Sequence, residues 1–173
     1  AEEYYNETNL ADGWIYASNL NGDFQDDVNS LSLTKVFPEL GMDGDPEAVD
    51  MLDLSKETAR QLGMGLWKEY LTDAEKEEDS AVFAQCQALH LGMDEYFGDA
   101  KDYLVYLKEL SDYVNELAPD KELRIWGSLT MKGGDLSGIS RELQMHIWDV
   151  QWADPTEMYE EGFSLINSLS SHL

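Results

Sequence analysis

Leu89-His90-Leu91-Gly92-Met93-Asp94-Glu95 is a short apolar run that stops at a glycine and then delivers two adjacent carboxylates. Near-continuous apolar runs mark the central strands of parallel sheets, because both faces of such strands are covered. The stretch therefore predicts a buried strand whose carboxyl end presents Asp94 and Glu95 to water or to a substrate. Adjacent carboxylates in one site repel each other, an arrangement that acid/base chemistry exploits. The same dipeptide also serves as the solvated start of a loop, and His90 by itself reads as a hydrogen-bonded core histidine.

Downstream, Tyr103, Leu107, Leu110, Val114 and Leu117 recur every three or four residues and predict an amphipathic helix from about Asp99 to Leu117, ended by Pro119. Glu122 to Gly127 reads as a strand, Met131 to Asp135 as a long loop, and Leu143 to Trp148 as another strand. Asp154-Pro155 pairs an N-cap with proline at the first helical position, predicting a short helix that ends near Gly162. Ser164 to Ser168 reads as a last strand.

Upstream, Ala59, Leu62, Leu66, Trp67 and Tyr70 fall at helical spacing from about Ser55 to Leu71, with Asp53 or Ser55 as the cap and Trp67 in the core. Asp73 to Ser80 is an acidic linker that leads through Ala81-Val82-Phe83-Ala84 into the first strand. Leu31 to Phe37 is an apolar segment that Pro38 should stop. The turn cluster Gly41 to Pro46 is acidic but lacks the spacing of an EF-hand, so no metal site is expected there. Residues 1–30 read as a loop-rich segment around Trp14-Ile15-Tyr16.

Alternating strands and helices predict a parallel α/β architecture, in which functional groups gather at the carboxyl ends of the strands. Asp94-Glu95, Trp126 and Trp148 all fall at such ends. That convergence fits a carbohydrate, with indole rings against the apolar face of a sugar and carboxylates on its oxygens. Tryptophans in strands also serve as plain core residues.

Composition limits the partners. The 173 residues suffice for one domain with a real core. A formal net charge of −25, from 11 basic and 36 acidic residues, opposes binding to nucleic acid or to an anionic membrane. Cys86 is the single cysteine, so neither an intrachain disulfide nor a cysteine-based zinc site is expected. No apolar stretch is long enough to cross a bilayer, and no basic segment precedes an apolar run at the start. For an exported parent protein, a signal already removed is expected.

The pattern His90-x-Gly92-x-Asp94-Glu95 resembles the catalytic signature of glycoside hydrolase family 20, the β-N-acetylhexosaminidases. Further landmarks follow in the same order as in that family, and most closely as in its lacto-N-biosidase branch. They are Ser32-Leu33-Thr34-Lys35-Val36, Met51-Leu52-Asp53, Arg124-Ile125-Trp126-Gly127-Ser128, Gln144-Met145-x-Ile147-Trp148 and Ile166-Asn167. The resemblance implies a (β/α)8 TIM barrel and retaining hydrolysis assisted by the substrate, an exception to the two-carboxylate scheme. Glu95 is then the general acid and later the base, and Asp94 orients the acetamido group and offsets positive charge. Trp126 and Trp148 wall the sugar pocket, and His90 orients its neighbours. The implied substrate is an oligosaccharide with a terminal N-acetylhexosamine or lacto-N-biose, with no metal or organic cofactor, in an extracellular or cell-surface bacterial setting.

Departures from the family shape the expectation. A full barrel takes roughly 250 residues. Asn29 stands where the family has a histidine, and the chain stops just short of a late family tyrosine. The expected fold is therefore a partial TIM barrel over 31–173, lacking N- and C-terminal barrel elements, behind a divergent segment at 1–30. Cover for its open edges is expected from residues 1–30, from a second copy or partner chain, or from the missing half of a larger enzyme. The alternative functions are a non-catalytic carbohydrate-binding module and an acidic structural remnant of the same fold.

Overall fold

The computed structural model describes residues 33–42, 51–72, 81, 83–128 and 134–169. The readings of residues 1–30, of the turn cluster beyond Met42 and of the linker at 73–80 fall outside them, as does the first part of the 131–135 loop. The chain divides into two compact units, Ala1–Leu52 and Asp53–Leu173.

In the first unit, helix α1 (Leu33–Val36) is a single turn, closed where the Phe37 amide donates to the Leu33 carbonyl at 2.8 Å. Pro38 then opens a 3-10 turn (Pro38–Leu40), as a ring that fixes φ and lacks an N–H suits a first helical position. An antiparallel bridge joins Gly41 to Leu52.

The second unit opens with helix α2 (Glu57–Leu71). Its N-cap is Lys56 rather than Asp53 or Ser55. The Asp53 carboxylate is already engaged, accepting from the Ser55 amide at 3.1 Å and the Ser55 hydroxyl at 2.5 Å, and so builds the turn in front of the helix. Small residues, Ala59 and Gly63, are the buried positions of α2, while Trp67 is half-buried beside Phe83 and Tyr70 is exposed. The Arg60 guanidinium bridges to Glu109 at 2.8 Å and so ties α2 to the next helix.

Strand β1 (Ala88–His90), helix α3 (Ala100–Leu117), strand β2 (Glu122–Trp126), strand β3 (Gln144–Ile147), helix α4 (Pro155–Glu160) and strand β4 (Ser164–Asn167) follow. The predicted Asp154 cap is present, accepting from the amides of Thr156 and Glu157, and Asp99, which the sequence reading gave only as the start of its helix, caps α3 by accepting from the Lys101 amide. Helix α4 ends by donating back, Phe163 to the Met158 carbonyl and Gly162 to the Tyr159 carbonyl, which satisfies carbonyls that a helix end leaves free.

The four strands form one sheet in the order β1-β2-β3-β4, every pair parallel. The α/β class read from the alternation is thus the observed one. Because side chains alternate across a strand, Leu89, Leu123, Ile125, Met145 and Ile147 share one face, and all are buried. With Tyr103, Leu107, Leu110 and Val114 of α3 they make the core of this unit. Leu107 has no exposed surface, and Leu107→Ala is expected to cost about 2–5 kcal/mol through lost transfer energy and the cavity left behind. Urea unfolding of the variant beside the parent chain measures this.

Candidate functional site

The other sheet face carries His90, Arg124, Trp126, Gln144 and His146, all half-buried. Register aligns them in rows. His90 stands beside Arg124 and Arg124 beside Gln144, while in the next row Trp126 stands beside His146 and His146 beside Ile166. The first row is a polar network in which Arg124 donates to Gln144 at 3.0 Å and to Glu122 at 3.0 Å.

Above it, three rings close into a triangle. The His90 and Trp126 centroids are 4.6 Å apart, Trp126 and His146 5.2 Å, and His90 and His146 5.0 Å. The Gly92 amide donates to His90 Nδ1 at 3.1 Å, which puts the proton of the neutral imidazole on Nε2. His146 Nδ1 meets the Ser168 hydroxyl at 2.8 Å. Both Nε2 atoms are buried without a hydrogen-bond partner. Burial lowers the pKa of His90 first, with His146 and Arg124 adding to it and Asp94 opposing; burial and then Arg124 lower that of His146.

The acids do not terminate the strand directly. Strand β1 ends at His90, and Leu91 and Gly92 still bond to β2, through Leu91 N–H to the Arg124 carbonyl and Trp126 N–H to the Gly92 carbonyl. Gly92 and Met93 then both take positive φ, 77° and 75°, which swings the chain out of the ladder. Asp94 and Glu95 consequently lie exposed in the loop leading to α3. The Tyr103 hydroxyl secures this loop by donating to the Met93 carbonyl at 2.7 Å. Burial pushes the Tyr103 phenol well above its usual range, so it remains a donor.

Beyond β3, Trp148 Nε1 donates to the Gly127 carbonyl at 2.8 Å, and the Trp148 and Trp152 rings stack with centroids 5.7 Å apart. A Cβ on Gly127 would lie 2.5 Å from the Ala153 Cβ, so glycine lets the loop after β3 close against the end of β2. Phe97, two residues after Glu95, meets Trp152 edge-on at 6.1 Å.

Strand parallelism thus brings the Asp94-Glu95 loop, Trp126 and Trp148 to the same, carboxyl edge. His90 and Trp126 are in direct contact, Asp94 is close enough for its charge to act on His90 and Tyr103, and Trp148 pairs with Trp152. Cavities of ≈ 330 and ≈ 400 Å³ lie elsewhere, one by Glu122, Leu123 and Leu143 and the other by Leu104, Val105 and Ile139. Neither is lined by the acids or by these tryptophans. Among the described residues no three His, Cys, Asp or Glu side chains gather as a metal site, and no helix is long and apolar enough to cross a membrane.

The sequence reading did not assign His146, Trp152 or Phe97 to the site, and it placed Tyr103 only on the apolar face of its helix. His146 had a signal, since it lies two residues before Trp148 on a strand and therefore on the same face. Trp152 and Phe97 sit in loops, where no periodicity reports orientation. Searches against protein-family models and curated proteins find no match to this sequence.

Because the folded chain holds both histidines below the ordinary 6.5, the unfolded chain binds their protons first as pH falls. Their contribution to stability is therefore fully present above 6.5 and is lost as pH falls through 6.5 and then through the folded values. The urea midpoint is expected to drop between about pH 7.5 and pH 5.5, above the ordinary carboxylate range. His90→Gln with His146→Gln should flatten that drop.

Proposed function

We propose that this chain is a glycosidase, or the part of one that bears the acids, releasing terminal β-linked N-acetylhexosamine or lacto-N-biose from oligosaccharides. The reading rests on one observation above the rest: the loop bearing Asp94 and Glu95 shares the carboxyl edge of the sheet with Trp126 and Trp148. Its architecture is a partial (β/α)8 barrel. All-parallel strands in sequential order support this, as does a polar and aromatic face opposite the core, which in a closed barrel lines the interior.

In the proposed chemistry the acetamido oxygen of the bound sugar attacks its own anomeric carbon while the glycosidic bond breaks. Glu95 gives its proton to the departing oxygen. Asp94 accepts from the acetamido N–H, which aligns the attacking oxygen, and its charge offsets the positive oxazolinium ring. Water then opens that ring, losing a proton to Glu95, and the anomeric configuration is retained. Trp126 and Trp148 flank the sugar. His90, fixed by the Gly92 amide and packed on Trp126, holds the indole in place.

A second reading is a carbohydrate-binding module without turnover. The exposed position of both acids, away from the two cavities, favours it.

Release of para-nitrophenol from the β-N-acetylglucosaminide and the β-lacto-N-bioside separates the two. An enzyme is expected to hydrolyse one of them, with Glu95→Gln losing about 100-fold or more, as removal of a general acid does. Absence of release from the unmodified chain rejects the enzyme. Binding of N-acetylglucosamine-thiazoline that depends on Asp94, without turnover, assigns the binding module.

A further inference from the structure

Aromatic rings continue along the carboxyl edge past the residues assigned above. From Trp148 the contact runs to Trp152, stacked at 26°, and from Trp152 to Phe97, edge-on at 76°. The strip is held from below. Trp152 and Ala153 amides both donate to the Asp149 carbonyl, at 3.1 and 3.0 Å, the Gln151 amide donates to the Asp149 carboxylate at 2.6 Å, and Ala153 closes on Gly127. At the far end Phe97 is 42% exposed. A lone exposed phenylalanine is ordinary, but this one ends a continuous row of rings that begins at a proposed sugar wall.

The chemistry of the strip narrows its ligand. Asp94 and Glu95 lie in the loop that carries Phe97, and Asp149 follows Trp148, on a chain of net charge −25, so phosphates and other anions are disfavoured. Flat rings match the apolar C–H faces of a pyranose, and the carboxylates accept from its hydroxyls. We propose that Trp152 and Phe97 form a second sugar subsite, for a neutral pyranose β-linked to the residue held between Trp126 and Trp148. The subsite lies on the leaving-group side, because Glu95, which protonates the departing oxygen, precedes Phe97 by two residues in the same loop. It rests on the glycosidase reading for that direction, while its sugar affinity is measured without turnover.

Calorimetry on the Glu95→Gln chain compares N-acetylglucosamine with its β-linked disaccharide, N,N′-diacetylchitobiose. The disaccharide is expected to bind about tenfold more tightly, the scale of one added aromatic contact. Trp152→Ala and Phe97→Ala should each bring that ratio close to one, and Trp152→Phe and Phe97→Tyr should preserve it. A ratio that the alanine variants leave unchanged overturns the subsite, as does binding of neither sugar. Self-association abolished by the alanine variants, without sugar binding, also overturns it and assigns the strip to a protein contact. Chromophore release by the unmodified chain without a disaccharide preference rejects the subsite and keeps the acid. A preference lost in both alanine variants, without chromophore release, keeps the subsite and rejects the acid.

Discussion

The parallel register that sets Trp126 beside His146 and His146 beside Ile166 is the constraint on which the rest of the second unit depends. A slip of one residue in any strand would send its buried set outward and its polar set inward, because strand side chains alternate with a period of two. Ile125 and Met145, both with no exposed surface, resist that slip with apolar burial worth about 1.5–3 kcal/mol per side chain. The ring triangle on the opposite face therefore takes its spacing from the backbone ladder and from core packing behind it. Its own contacts refine a position that hydrophobic burial has already chosen.

Where the ladder stops matters as much as where it runs. Met93 is a non-glycine residue at positive φ, a conformation that costs on the order of 1 kcal/mol and persists only when its surroundings impose it. Two interactions do so here. Trp126 N–H still grips the Gly92 carbonyl on one side, and the buried Tyr103 hydroxyl grips the Met93 carbonyl on the other. Between them the chain must turn sharply, and the turn lifts Asp94 and Glu95 off the sheet. Helix α3 thus both covers the core and, through Tyr103, aims the acidic loop.

Much of the fold was legible because it follows from periodicity and capping. The three- and four-residue spacing through Tyr103, Leu107, Leu110 and Val114 marks a face that is buried throughout, and Asp154 caps as its position before Pro155 suggested. Helix α2 was less readable. Of the predicted face of Ala59, Leu62, Leu66, Trp67 and Tyr70, only Ala59 is fully buried, Tyr70 is exposed, and Gly63, outside that pattern, takes the other close position, since approach between helices selects for small side chains as well as apolar ones. Of the candidate site, the acid pair and the strand-end tryptophans could be picked out by residue type and position. The shift of the acids beyond the strand could not, because it arises from the Gly92-Met93 dihedrals and a tyrosine in the following helix. Trp152 and Phe97 likewise owe their contact to loop closure at Gly127, which no local pattern encodes.

The histidines beneath the acids bear on the proposed chemistry through the charge they do not carry. A protonated imidazole beside Asp94 would neutralise it and weaken its hold on a cationic intermediate. The Asp94 charge does draw a proton towards His90, but burial is the larger influence, and His146 and Arg124 push in the same direction as burial. Glu122 and Gln144 accept the hydrogen bonds of Arg124 on this face. Near neutral pH both imidazoles are therefore uncharged, with His90 ordered by the Gly92 amide, and in the proposed chemistry neither competes for the charge of Asp94.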